Sequence, residues 1–240
     1  MKSPTPNGIA VTHARDWIIG FDADDTLWHN ERFFRITQDR FAALLADHCA
    51  PDHLAERLLA AERRNLGHYG YGIKGFMLSM IETALEVTGG DLPGHVVAEI
   101  LAAGQEMLAH PIDLLPHARE AVEAMAAQAH IVLITKGDLL DQERKLAQSG
   151  IGDLFDGVEI VSEKTAPVYA RIFAGHAQAM MIGNSLKSDV LPALEAGAWG
   201  VHVPHEMTWD LEHALAPKDH PRFREIADLG SLPALLASLP

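Results

Sequence analysis

Five short apolar runs recur along the chain, each rich in β-branched or large aliphatic side chains. They span residues 17–22, 130–135, 157–161, 179–183 and 199–203. Runs of this length without strict alternation are typical of strands buried on both faces. Amphipathic stretches, most clearly 138–149 and 186–196, separate the later runs, and each is followed by a glycine. This alternation predicts a Rossmann-like parallel sheet with helices on both faces.

Residues from about 30 to 110 break the alternation. Four amphipathic helices are predicted there, at 31–48, 52–64, 74–88 and 93–109, with no strand between them. The α/β pattern resumes with a helix at 116–128. We therefore predict an α/β fold in which an all-α helical bundle is inserted after the first strand. The predicted core comprises residues 1–27 and 112–240, and the inserted domain comprises residues 28–111.

The C-terminal part carries weaker signals. Residues 202–217 predict an extended surface segment. Residues 223–229 and 231–239 predict a last strand and a last helix that complete the core.

Composition restricts the classes of partner. The 240 residues carry a net charge of −14, which argues against binding a nucleic acid polymer, because such binding needs a basic face. No apolar run approaches the length of a membrane span, and the N-terminal residues contain no apolar signal-peptide core. Cys49 is the only cysteine, so an intramolecular disulfide is excluded. We expect a cytoplasmic protein with no membrane partner.

Three aspartates, Asp22, Asp24 and Asp25, directly follow the first apolar run. Carboxylates this close repel one another, and their burial costs several kcal/mol each unless something compensates. A solvated acidic turn would explain them without any function. The alternative is a cation site in which at least one carboxylate takes part in a reaction.

Other polar residues also lie at the ends of predicted strands. Thr135 ends one run, Lys164 lies three residues beyond another, and the segment 183–189 (GNSLKSD) follows a third. Each has a structural explanation: a strand-end cap for Thr135, a solvated loop position for Lys164, and a helix first turn for Asp189. Because ligands bind beyond the carboxyl ends of parallel strands, their joint placement predicts one common site.

These residues together resemble the four motifs of the haloacid dehalogenase-like hydrolase superfamily. The matching stretches are DADDT (22–26), LIT (133–135), Lys164 and GNSLKSD (183–189). The resemblance covers about residues 15–205. The predicted helical bundle lies where the family's type 1 cap domain belongs, so the resemblance implies a catalytic core with a helical cap.

The resemblance implies a role for each residue. Asp22 would be the nucleophile that forms an aspartyl-phosphate, and Asp24 the general acid and base. Thr135 and Lys164 would contact the phosphoryl oxygens. A Mg²⁺ ion would be held by Asp22, Asp189, Asn184 and the backbone carbonyl of Asp24. Asp25 is interpreted as a structural residue, because aspartate tolerates unusual backbone turns.

One position departs from the family pattern. The fourth motif usually begins Gly-Asp, but this chain has Gly183-Asn184. Asparagine keeps a carbonyl oxygen that can bind Mg²⁺ or one of its waters, but it removes a negative charge. We expect a working site that binds Mg²⁺ more weakly than an aspartate would allow.

The resemblance implies a Mg²⁺-dependent phosphomonoester hydrolase acting on a small phosphorylated metabolite. Asp24 favours this reaction, since the family's dehalogenases lack an acid two residues after the nucleophile and use no Mg²⁺. Two alternatives stay open. One is a phosphotransferase or mutase of the same superfamily, and the other is a phosphate-binding regulatory member that has lost turnover.

The substrate preference is expected to depend on the cap. The glycine-rich stretch 65–75 predicts a mobile loop over the site, with a plain interhelix linker as an equal alternative. Candidate substrates are a nucleoside monophosphate, phosphoglycolate or a sugar phosphate. The predicted substrate-binding residues are Trp28, His68, Tyr71 and Lys74 beside Thr135, Lys136 and Lys164.

Overall fold

The computed structural model describes residues 17–239 of the chain. Six strands form one parallel sheet, as the sequence predicts. They are β1 (Trp17–Phe21), β2 (His130–Lys136), β3 (Gly157–Val161), β4 (Gln178–Gly183), β5 (Trp199–His202) and β6 (Phe223–Glu225). Their order in the sheet is β3-β2-β1-β4-β5-β6.

Nine α-helices accompany the sheet within the described residues. Four lie between β1 and β2: α1 (Glu31–Leu44), α2 (Pro51–Tyr69), α3 (Ile73–Val87) and α4 (Gly94–Ala109). The others follow in chain order: α5 (Ala118–Ala126), α6 (Leu139–Ser149), α7 (Ala166–Ile172), α8 (Leu191–Glu195) and α9 (Leu232–Ser238). A short π-helical turn, Leu186–Val190, precedes α8. No helix in this part of the chain is long and apolar enough to cross a membrane.

The sheet is buried on both faces, which explains why its strands are almost continuously apolar. Ile19 and Phe21 of β1 pack into one hydrophobic cluster, and Ile18 packs into a second cluster on the opposite face. The side chains of β2 alternate between the two clusters in the same way, with Leu133 in the first and Ile134 in the second. This division follows from the two-residue side-chain period of a strand.

The inserted helices α1 to α4 have a hydrophobic cluster of their own. Phe41, Leu58, Phe76 and Ile100 are among its buried members. The bounds of the two predicted domains, 1–27 with 112–240 and 28–111, stay a prediction, and residues 1–16 lie outside the described part of the chain.

Two helix bounds in the insertion differ from those predicted. The first helix ends at Leu44 rather than at residue 48. The second continues to Tyr69 rather than stopping at residue 64. Its buried face, formed by Leu54, Leu58, Ala61 and Asn65, extends beyond residue 64. Only residues 70–72 then separate α2 from α3. The prediction of a long glycine-rich loop at 65–75 is therefore wrong.

The strand register brings the carboxyl ends of the central strands to one edge. Phe21 of β1 lies opposite Leu133 of β2 and Ile182 of β4. The residues that follow these positions therefore emerge side by side. This is the edge at which an open parallel sheet binds its ligands.

The close packing around β1 leads to a first prediction. A Cβ added at Gly20 would lie 2.7 Å from Cδ1 of Ile134 and 3.0 Å from Sδ of Met181, and both of these side chains are fully buried. Overpacking of this kind typically costs about 1–3 kcal/mol. We expect Gly20→Ala to lower the free energy of unfolding by about that amount in urea titrations.

Gly67→Ala is the matched control. A Cβ there has no atom within 4 Å, and the residue lies inside helix α2. Alanine should therefore raise stability by about 0.5–1 kcal/mol through helix propensity. Equal stability of Gly20→Ala and the parent protein would show that the sheet can accommodate the extra methyl group.

Candidate active site

A cavity of about 170 Å³ opens at the carboxyl edge of the sheet, below the inserted helices. It brings together most of the residues that the sequence singles out, although they come from different strands. The predicted residues that line it are Asp22, Asp24, Thr135, Lys136, Lys164, Asn184, Asp189 and Tyr71.

Lys164 joins two aspartates in the floor of this cavity. Its Nζ donates hydrogen bonds to Oδ1 of Asp22 at 2.5 Å and to Oδ1 of Asp189 at 2.7 Å. The lysine side chain is only 2% exposed, so the interpretation of a solvated loop residue is wrong. A single ammonium group thus faces two buried carboxylates.

The protonation of this cluster reflects its burial. Burial raises the pKa of Asp22 to about 7, and the negative charge of Asp189 adds to the rise, whereas Lys164 opposes it. Burial alone would lower the pKa of Lys164, but the charges of Asp189 and Asp22 raise it well above its usual range. The lysine therefore stays charged. A further positive charge at this point would favour the ionised, nucleophilic form of Asp22.

The hydroxyl of Thr26 connects the first motif with the fourth. Its Oγ1 lies 2.9 Å from Oδ2 of Asp22 and 3.2 Å from Oδ1 of Asn184, and it accepts a hydrogen bond from the backbone N–H of Asn184 at 3.0 Å. With one hydrogen, the hydroxyl donates to one of these oxygens at a time. Thr26 belongs to the first motif, but its contacts with the fourth motif are not apparent from the sequence.

Asp24 is held by three donors at the cavity wall. Nζ of Lys145 lies 2.9 and 3.1 Å from its two carboxylate oxygens, and Nε2 of Gln142 donates to Oδ2 at 2.8 Å. The indole N–H of Trp28 donates to Oδ1 at 2.7 Å. These contacts fix the orientation of the carboxyl group that the family resemblance makes the general acid.

Sequence reasoning missed Lys145 and Gln142. Both lie on the buried face of α6, where an amphipathic helix normally places apolar side chains. Asp141 lies on the same face. The sequence did contain a signal for them, because polar residues recur at helical spacing on the face of α6 that would otherwise be apolar.

Asp25 has the structural role that the sequence predicts. Its φ of 59° lies in the left-handed region, and its carboxylate accepts hydrogen bonds from the backbone N–H groups of Asn30 and Glu31. It thereby satisfies backbone donors at the start of α1.

The segment predicted as an extended surface stretch, 202–217, instead closes part of the cavity. Trp209 and Glu212 both line it. Glu212 accepts hydrogen bonds from Nζ of Lys136 at 2.8 Å and from the hydroxyls of Ser185 and Ser188. Burial would raise the pKa of Glu212, but Lys136 and these hydroxyls bring it below its usual value. The prediction of a surface segment is therefore wrong for Trp209 and Glu212, whereas Met207 and Asp210 are exposed.

Three predicted substrate contacts do not reach the cavity. Trp28 is fully buried in the hydrophobic core and reaches the site only through Asp24. Lys74 forms an ion pair with Asp138 at 2.9 Å, outside the cavity lining. His68 lies on an exposed part of α2, since that helix continues past the point where a loop was predicted.

Tyr71 does line the cavity. Its hydroxyl donates to Oε2 of Glu163 at 2.6 Å, and Nζ of Lys136 lies 4.1 Å from the centre of its ring. Tyr71, from the inserted helical region, thus contacts two residues of the core, Glu163 and Lys136. Its predicted role in substrate binding stays a prediction.

The cavity chemistry suits a divalent cation. Eight acidic side chains and three lysines line it, so an anionic substrate would meet a negative field unless another cation were present. Asp22, Asp189 and Asn184 line the cavity, and carboxylate and amide oxygens are ligands that Mg²⁺ prefers; the predicted set of these residues with the backbone carbonyl of Asp24 stays a prediction. Residues 17–239 contain no cluster of three His, Cys, Asp or Glu side chains in metal-binding positions, and this donor set requires only two acidic side chains.

Comparison with known families identifies the family of the chain. The sequence model of the haloacid dehalogenase-like hydrolase family matches residues 18–197. The chain belongs to this family of hydrolases. A haloacid dehalogenase-like family hydrolase from Xanthomonas campestris is 41% identical, with a TM-score of 0.83 and coverage of 98% of this chain and 95% of the other.

More distant structures of haloacid dehalogenase-like hydrolases differ in reaction. L-2-haloacid dehalogenase from Xanthobacter autotrophicus is 17% identical, with a TM-score of 0.61, and the match covers 93% of this chain and 99% of the dehalogenase. A predicted phosphoglycolate phosphatase from Haemophilus somnus is 16% identical, with a TM-score of 0.62 and coverage of 94% and 99%. At these identities the likeness shows the fold alone. No curated protein matches the chain.

The position of Thr26 leads to a second prediction. Thr26→Val keeps the shape of the side chain but removes the hydroxyl, which leaves the backbone N–H of Asn184 without its acceptor. An unsatisfied donor of this kind costs about 1–3 kcal/mol. We expect a corresponding loss in the free energy of unfolding, measured in urea.

Thr26→Ser is the matched control, because it keeps the hydroxyl and loses only a methyl group. It should retain most of the stability that the valine variant loses. If the two variants were equally stable, the hydrogen bonds of Thr26 would be energetically unimportant.

Proposed function

We propose that the protein is a Mg²⁺-dependent phosphomonoester hydrolase that acts on a small phosphorylated metabolite through an aspartyl-phosphate. The observation that carries this proposal is the position of Asp24, which lines the same cavity as the nucleophile candidate Asp22. Loss of a halide needs no proton, whereas an alkoxide leaving group does. An acid beside the nucleophile therefore supports ester hydrolysis over dehalogenation.

Asp22 supplies the nucleophile. A carboxylate oxygen attacks phosphorus, the bond from phosphorus to the leaving oxygen breaks, and water later attacks the phosphorus of the aspartyl-phosphate to release phosphate and free the carboxylate. Lys164, at 2.5 Å, stabilises the ionised carboxylate before attack. Its ammonium group also lies where it can offset the charge of the incoming phosphoryl group.

Asp24 moves the protons. It gives one to the leaving oxygen in the first step and takes one from the attacking water in the second. Lys145, Gln142 and Trp28 hold its carboxyl group at the cavity wall, so this acid and base is positioned before substrate arrives. Thr135, 1% exposed and lining the cavity, donates its hydroxyl to a phosphoryl oxygen.

Asp22, Asp189, Asn184 and the backbone carbonyl of Asp24 would hold the Mg²⁺ ion. When bound, the ion offsets the carboxylate charges and polarises the phosphoryl group. The small cavity, about 170 Å³, favours a compact substrate over an extended one.

The proposed reaction gives a third prediction. Purified protein should hydrolyse p-nitrophenyl phosphate with Mg²⁺ and lose this activity in EDTA. Asp22→Asn should lower kcat by about 1,000-fold or more, because no covalent intermediate can form without the nucleophile. The control is Asp39→Asn, which makes the same change at an exposed position of α1 outside the cavity.

A parallel assay of chloride release from 2-chloropropionate separates the two reactions of the family. Chloride release without Mg²⁺ would replace the phosphatase proposal with a dehalogenase. Phosphatase activity that survives Asp22→Asn would rule out the proposed nucleophile.

The departure at Asn184 gives a fourth prediction. Asn184→Asp adds a negative charge to the proposed ion site, so the Mg²⁺ concentration for half-maximal activity should fall by about tenfold. The Mg²⁺-induced rise in melting temperature should reach saturation at a correspondingly lower concentration. Asn184→Ala, which removes the amide oxygen, should shift both midpoints upward. An unchanged Mg²⁺ dependence in the aspartate variant would show that residue 184 does not contribute to ion binding.

A further inference from the structure

The inserted helices contribute acidic but no basic side chains to the wall of their half of the cavity. Glu31 of α1 and Glu62 of α2 both line it. Between residues 28 and 111 no lysine, arginine or histidine contributes to the cavity wall. The three lysines that do line it all come from the core side.

Those three lysines are already paired. Lys164 contacts Asp22 and Asp189. The two remaining pairs are Lys145 with Asp24 and Lys136 with Glu212, at 2.9 and 2.8 Å. In the inserted half, Arg35 pairs with Glu31 at 3.1 Å but does not line the cavity. A cationic ligand would therefore add the positive charge that the wall of this half lacks.

Glu62 is the least compensated group in this half. It is 8% exposed, and among residues 17–239 its compensation comes from a hydrogen bond of Trp209 and from the charge of Arg35. Trp209 and Arg35 lie close enough to lower its pKa, but burial and the charge of Glu31 raise that pKa to about 7. A buried carboxylate with so little compensation is costly unless a ligand supplies the partner.

Four aromatic rings line the same cavity, and Nζ of Lys136 already lies over the ring of one of them, Tyr71. Phe34 and Phe76 line the cavity with their ring centres 5.0 Å apart. Tyr71 and Trp209 line it as an edge-to-face pair with centres 6.1 Å apart. Aromatic faces combined with carboxylates are the surroundings that bind organic ammonium ions.

We propose that this half of the cavity binds an ammonium group on the leaving group of the substrate, with Glu62 as the principal counter-ion and the aromatic rings as its walls. This inference rests on the proposed phosphatase function. The substrate class is then a phosphate monoester of an amino alcohol. Its phosphate lies against Asp22 and Lys164, and its cationic end lies against Glu62 and Glu31.

A neutral, hydroxyl-rich leaving group is the competing class. It could hydrogen-bond to the same carboxyl groups, but it would add no positive charge to the wall of the inserted half. It would also gain no electrostatic attraction from the aromatic faces. Charge complementarity therefore favours the ammonium ester.

Isosteric substrates provide the test. Phosphocholine and 3,3-dimethylbutyl phosphate have the same shape but differ in the charge of the terminal group. We expect kcat/KM to be at least about tenfold higher for phosphocholine, mainly through a lower KM, which corresponds to one well-placed cation contact. In Glu62→Gln this ratio should fall to about one.

Glu56→Gln is the matched control. It makes the same change on the same helix, at a side chain that is 80% exposed and outside the cavity. It should keep the ratio of the parent protein. A ratio near one in the parent protein, or a ratio unchanged by Glu62→Gln, would overturn the inference. If Glu62→Gln does not fold, Glu31→Gln serves as the second variant and should lower the same ratio.

A binding experiment separates failure of this inference from failure of the proposed function. If the protein hydrolyses p-nitrophenyl phosphate but shows no preference for phosphocholine, only the cation site is wrong. If it hydrolyses no phosphate ester, calorimetry with choline and with neutral 3,3-dimethylbutan-1-ol tests whether the cation site exists. Choline binding that weakens in Glu62→Gln would support the site without the reaction, and equal binding of the two alcohols would overturn it.

Discussion

The contact of Lys164 with Asp22 and Asp189 is the interaction on which the site depends. Three charged side chains are buried together, and removal of one partner of such a cluster typically costs about 3–5 kcal/mol because the others lose their compensation. The three residues come from segments after β1, β3 and β4, which are far apart in the chain. Their meeting therefore depends on strand order and register, so the sheet is the framework that makes this chemistry available.

The main features of the fold were predictable from the sequence because they depend on local patterns. Strands buried on both faces have continuous apolar runs, and the four inserted helices show a helical period without a strand between them. The end of α2 was not predictable, because Gly67 resembles a helix terminator. The structure shows that the buried face continues through Asn65 and that the helix ends only at Tyr69, before Gly70, whose φ is 72°. Tertiary packing thus outweighed the local signal.

The site was predictable where residues follow strand ends and unpredictable where they come from elsewhere. Asp22, Thr135 and Lys164 meet in the cavity because parallel strands end at one edge. Lys145 enters from the inward face of α6, and Glu212 enters from a segment with no periodic signal. Side-chain direction explains the opposite error at Trp28, which is close to the motif in sequence but points into the hydrophobic core. Sequence proximity does not determine the direction of a side chain.

The two halves of the cavity differ in how their charges are balanced, and this difference constrains the ligand. On the core side, lysines compensate Asp22, Asp24 and Glu212. In the inserted half, Glu31 pairs with Arg35, which does not line the cavity, and Glu62 is compensated by Trp209 and the charge of Arg35. A ligand with an anionic end and a cationic end would complement both halves at once. Its orientation would then be fixed by electrostatics, with the phosphate directed to Asp22.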